Sequence, residues 1–137
     1  MRRLASVGLG FLILAIAVAL CAFRTNAAQP VGADELLRHR LEAAQEGAKL
    51  AQSMYQSGLT EFQVVSTWQR RVTSSELALA KSKEQRVAAL QKEIERAKTA
   101  EEMVDKRVAA GLAPVLDQIA AKFERLDAEA SLATEQQ

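Results

Sequence analysis

The chain has 137 residues, enough for one small domain at most. Its 18 Lys and Arg stand against 17 Asp and Glu, a net charge of +1 with both signs interspersed, which excludes the basic face that nucleic-acid binding requires. One cysteine and a 4% aromatic content exclude a disulfide scaffold and base-stacking platforms.

Met1-Arg2-Arg3 opens the chain and an uncharged apolar stretch follows over residues 5–23. Small residues Ala27 and Ala28 then precede the helix-breaking Gln29-Pro30-Val31-Gly32. Positive start, apolar middle and small residues at a cleavage point describe a secretory signal peptide, cut after Ala27 or Ala28. The alternative is an uncleaved anchor, since roughly 17–25 apolar residues span a bilayer. Cys21 follows bulky Leu20, where a lipid-attachment site takes a small residue, so it reads as one more apolar residue of the leader. The expected organisation is a signal peptide over 1–28, a linker over 29–33, a helical domain over 34–133 and a flexible tail over 134–137. Removing 1–28 takes Arg2, Arg3 and Arg24 and no acid, leaving 15 bases, 17 acids and a charge of −2.

Beyond the linker, apolar residues recur at alternating steps of three and four. Leu37, Leu41, Ala44, Ala48, Ala51 and Tyr55 form the first stripe, and Val65, Trp68, Val72, Ser75 and Leu79 the second. Val87, Leu90, Ile94, Ala97, Val104 and Val108 form the third, with Glu101 on one stripe position, where the seam is expected to open to solvent. Leu116, Ile119, Phe123, Leu126, Ala130 and Ala133 form the fourth. Such stripes are the seams of helices packed nearly side by side, and no segment alternates with period two.

The breaks agree with the stripes. Gly58 and Gly111 stand where helices should end, because glycine takes the left-handed cap conformation without a side-chain clash. Thr60-Glu61-Phe62-Gln63 and Ser82-Lys83-Glu84-Gln85 fit capping boxes, and Pro114 fits a first helical turn. These signals predict helices over 34–57, 61–80, 83–110 and 114–133, the first roughly 36 Å long. Residues 58–80 and 111–133 are also two copies of one pattern: Gly58, Leu59, Glu76, Leu79 and Ala80 match Gly111, Leu112, Glu129, Leu132 and Ala133 at a constant offset. The expected fold is all-α, with four antiparallel helices as two αα-hairpins, in an up-down-up-down bundle or as coiled-coil-like hairpins. Many seam alanines bury little area, so self-association or a protein partner is expected to complete the core.

Candidate chemistry is sparse. His39 lies near Asp34, Glu35 and Glu42, but zinc wants further nitrogen or sulfur ligands, so it reads as an exposed histidine among charges and no metal is expected. Glu76 and Glu129 repeat between the copies; paired carboxylates need a pocket to shift their pKa values, so surface ion pairs are expected, Glu129 with Arg125. Arg70-Arg71 beside Trp68 suggests a cation–π contact. Nucleophile elbows, phosphate loops, Cys/His clusters and dinucleotide turns do not occur, so no catalytic residue and no cofactor is expected.

Arg107-Val108-Ala109-Ala110-Gly111-Leu112-Ala113, then Asp117 and Arg125-Leu126-Asp127-Ala128-Glu129, resemble the helical hairpin repeat of TolC-type outer-membrane efflux proteins. The segment from Val64-Val65 through Trp68-Gln69-Arg70-Arg71 to Glu76-Leu77-Ala78-Leu79-Ala80 is similar to secreted helical proteins of planctomycete-type bacteria. The first resemblance implies that Gly58, Leu59 and Thr60 in one copy, and Gly111, Leu112 and Ala113 in the other, are tips that meet a protein partner. It does not extend to the outer-membrane barrel, whose alternating strands have no counterpart here. The expected role is a non-catalytic, extracytoplasmic interaction or structural module, periplasmic or extracellular. If residues 5–23 stay attached, or if Cys21 is lipidated, it becomes a membrane-tethered accessory of an efflux or cell-envelope assembly.

Overall fold

The computed structural model describes residues 32–137, which carry four α-helices and no strand: α1 (Ala33–Gln56), α2 (Phe62–Leu79), α3 (Lys83–Ala109) and α4 (Val115–Gln136). The expected signal peptide, its cleavage at Ala27 or Ala28, the alternative anchor and Cys21 lie outside the described residues. Helix α4 runs on through residues 134–136, where a tail was expected. No described helix is long and apolar enough to cross a membrane.

Helix ends follow local chemistry, with two corrections. Ser82 caps α3, its hydroxyl accepting from the Gln85 amide at 3.3 Å, while Gln85 Oε1 accepts the Lys81 amide at 2.6 Å. The box expected at Thr60 does not form: Glu61 is the cap residue and makes no side-chain cap bond. Phe62, 1% exposed, drops into the core at the first helical position and leaves Thr60 one residue too far out. Pro114 is likewise the residue before α4 rather than its first, because its backbone is extended (φ −74°, ψ 152°).

Three of the four stripes face inward. Ala44, Ala51 and Tyr55 of α1, Val65 and Val72 of α2, and Leu90, Ile94, Ala97 and Val104 of α3 are all buried. Helix α1 packs along α2, α3 along α4, and α2 also approaches α3 and α4. This intermediate position buries polar residues on α2. Ser66 donates to Glu124 at 2.7 Å, and Ser75 and Thr73 donate back to the carbonyls of Arg71 and Gln69. On α1, Gly47 lets the Trp68 ring approach so closely that a methyl group there would overlap it. The indole also carries the Arg71 guanidinium, 4.4 Å from its centroid.

The fourth stripe faces out. Leu116, Ile119, Phe123 and Leu126 are 72%, 61%, 61% and 46% exposed, while Ala121 and Ala128 on the opposite side are buried. The cause is on the neighbours. Helix α2 presents Ser66 and Arg70, which bind Glu124, and α3 presents Glu101, which takes Arg125 Nε at 2.6 Å. Seating those groups together with the alanines turns the apolar stripe toward solvent. Glu101 therefore does not open a seam to water; it is held in an ion pair between α3 and α4.

Candidate functional site

Both Gly-Leu turns close their helices with one hydrogen-bond pattern. Gly58 (φ +73°) donates to the Tyr55 carbonyl and Leu59 to Met54; Gly111 (φ +70°) donates to Val108 and Leu112 to Arg107. This is the Schellman arrangement, which satisfies the free carbonyls of a helix end and needs a left-handed residue at the glycine. Thus the two turns of the repeat share one backbone hydrogen-bond pattern.

Leu59 and Leu112 stay 72% and 65% exposed, so neither is fastened over the preceding helix. Thr60 and Ala113 are half-buried, and Ala113 packs against the core cluster around Tyr55, Phe62 and Val104. A cavity of about 430 Å³ joins the turns: Gly58 and Thr60 line it from the first, Leu112 and Ala113 from the second. Of the six expected tip residues, Leu59 and Gly111 lie outside its lining.

Arg107 holds the two turns together. Its guanidinium donates to the Gln56 carbonyl at 2.6 Å and to the Leu112 carbonyl at 3.1 Å, and sits 4.8 Å from the centroid of the Tyr55 ring. A cation on carbonyls at a helix C-terminus also complements the helix dipole. Tyr55 packs edge-on against Phe62 and donates its hydroxyl to Asp117 Oδ2 at 3.0 Å. Burial, and then the Asp117 carboxylate, push its phenol up to about 12, so Tyr55 remains a proton donor at any ordinary pH. The cavity is lined by the Arg107 guanidinium, the Tyr55 and Thr60 hydroxyls, the Glu61 and Asp117 carboxylates and apolar Phe62, Leu116 and Ala120.

Tyr55 lies on the first stripe and Arg107 and Asp117 lie within the hairpin-like motif, but no spacing in the sequence joins the three. At the repeat's offset the positions matching Arg107, Tyr55 and Asp117 are Met54, Val108 and Val64, and of these only Val64 and Asp117 fall within the two copies.

The other candidates take structural places. His39 is exposed and pairs with Glu42 at 3.3 Å and Glu35 at 3.9 Å. Among the described residues no cluster of three or more His, Cys, Asp or Glu is placed to hold a metal ion. Glu76 pairs with Arg96 and Glu129 with Arg125, in separate ion pairs. Arg70 binds Glu124 through two nitrogens, at 2.9 and 2.7 Å, while Arg71 makes the cation–π contact with Trp68. Comparison with protein-family models, curated proteins and solved structures returns no match for this chain.

Proposed function

We propose that the chain is a non-catalytic, extracytoplasmic helical interaction module, built as two antiparallel αα-hairpins whose Gly-Leu turns dock a protein partner. The hairpin arrangement is supported by cross-links between helix beginnings and ends: Lys81 with Asp34, Gln118 with Asp105, and Arg86 with Glu135. The observation that carries the docking role is the pair of exposed leucines. Gly58 and Gly111 satisfy the turns by backbone geometry alone, so Leu59 and Leu112 are free to meet another surface. The resemblance to TolC-type hairpins, in which such turns meet an adaptor protein, points the same way.

A photo-crosslinking amino acid at Leu59 or Leu112 should trap one common partner, and the same label at Lys83 should not. Leu59→Ser with Leu112→Ser should abolish the capture while leaving the melting temperature within a few degrees. An earlier melt with capture intact would mean that the leucines only stabilise their turns. A second reading, a membrane-tethered accessory of an envelope or efflux assembly, is favoured by the apolar run over residues 5–23. N-terminal sequencing of the exported chain separates the two: a new terminus at Ala28 or Gln29 removes the tether, and an intact Met1 keeps it.

A further inference from the structure

We propose that the outward face of α4 is covered by the same face of a second copy of this chain, the two α4 helices running parallel. The inference rests on the interaction-module reading, but on residues other than the tips. Leu116, Ile119, Phe123, Leu126, Ala130 and Ala133 keep the three–four spacing of a two-helix seam along a helix whose opposite side already packs inward. No described part of the chain covers them.

Area argues for a stable occupant. Val115 and the four large stripe residues are each 46–72% exposed, and at on the order of 200 Å² per large side chain they present roughly 600 Å² per copy. That is most of the about 800 Å² per partner that stable interfaces bury, and the alanines add to it.

Charge argues for a second copy and for its direction. In a parallel seam each residue flanking the stripe on one side faces, in the other helix, the residue five positions further on. Lys122 then meets Asp127 of the second copy, and two-fold symmetry makes the contact twice. Both are exposed, and neither makes an ion pair among the described residues. Glu129 meets uncharged Thr134, its own carboxylate already held by Arg125 at 2.8 Å. Antiparallel helices would instead set Leu116 and Ile119 against Ala133 and Ala130, and Lys122 against the occupied Glu129. A lipid surface is disfavoured, since membrane-lying helices flank their apolar face with Lys and Arg, and here acids are mixed in.

The test is sedimentation equilibrium on the full chain at low salt. A dimer is expected, with Lys122→Asp raising its Kd about tenfold, because two attractive pairs become two repulsive ones. Lys122→Asp combined with Asp127→Lys should bring the Kd back to within about threefold of the original. Leu116→Glu with Phe123→Glu should give a monomer of unchanged helical content. A monomeric wild-type chain, or a dimer indifferent to the α4 variants because residues 5–23 hold it together, overturns the proposal. A charge swap that fails to rescue does so as well, pointing to the antiparallel alternative. Leu116 and Ala120 also line the cavity between the turns, whereas Lys122 and Asp127 do not, so loss of the dimer in Lys122→Asp should leave the tip capture intact, and failure of the capture should leave the dimer.

Discussion

Replacing Gly47 by alanine pits two effects of opposite sign against each other. In an exposed helix the change is stabilising by about 1 kcal/mol, because glycine carries the larger backbone entropy. Here the added methyl carbon would lie 2.6 Å from Trp68 Cδ2, and closer still to Cε3 and Cζ3. Ordinary carbon contacts begin near 3.5 Å, so the indole would have to retreat by about 1 Å. It cannot do so freely, since Arg71 stacks on it at 4.4 Å and the ring packs against the core cluster. Overpacking of this kind costs about 1–3 kcal/mol, leaving a net loss of roughly 0–2 kcal/mol, about 1 at the middle of the range, after the helix gain. For a domain of this size a loss of about 1 kcal/mol should lower the melting temperature by roughly 4–8 °C, followed by far-UV circular dichroism. In a Trp68→Leu background the clash disappears and the same Gly47→Ala change should become stabilising. A Gly47→Ala chain that melts higher than wild type would refute the close packing of α1 on α2.

Tyr55 is the only tyrosine, so its ultraviolet titration should show a single midpoint near 12, and a midpoint near 10 would refute its burial against Asp117. Because the folded value is raised, the stability it contributes is fully present below about pH 10 and is lost as pH climbs toward 12, which urea melts over that range would follow. Gly58→Ala and Gly111→Ala should each lose about 1–2 kcal/mol from the positive φ alone, since the space around both glycines is open; unchanged urea midpoints would exclude the left-handed caps. Ala121→Leu should destabilise by about 2 kcal/mol because that alanine is 1% exposed, and a neutral result would restore the outer stripe of α4 as its core face.

The first three helices were legible because large side chains mark their buried positions: Tyr55, Val65, Val72, Leu90, Ile94 and Val104 all lie on the expected stripes and are all buried. Gly58 and Gly111 were legible because a left-handed cap has almost one chemical solution. Helix α4 misled because hydrophobic periodicity weighs a residue by its own character, and burial there was decided by what the neighbours present. Glu124 and Arg125 read as solvent residues until Ser66, Arg70 and Glu101 are known to face them. Alanine carries too little apolar weight to outvote Leu116 or Phe123 in a pattern, yet Ala121 and Ala128 are the side chains small enough to let α4 close on its neighbours. Arg107 was hidden for a related reason: its carbonyl partners on Gln56 and Leu112 are backbone atoms, which no residue pattern displays.

That α1 approaches only α2 along its backbone sets how the protein breathes. Its last turn is fastened by Tyr55 on Asp117 and by Arg107 on the Gln56 carbonyl, whereas its first turn is held by the exposed pair of Asp34 and Lys81. Opening should therefore begin at the Ala33 end and peel toward Tyr55 without disturbing α3 and α4. Amide hydrogens near Leu36 should exchange with solvent far sooner than those near Ala51, and α3 should exchange last, by unfolding of the whole domain.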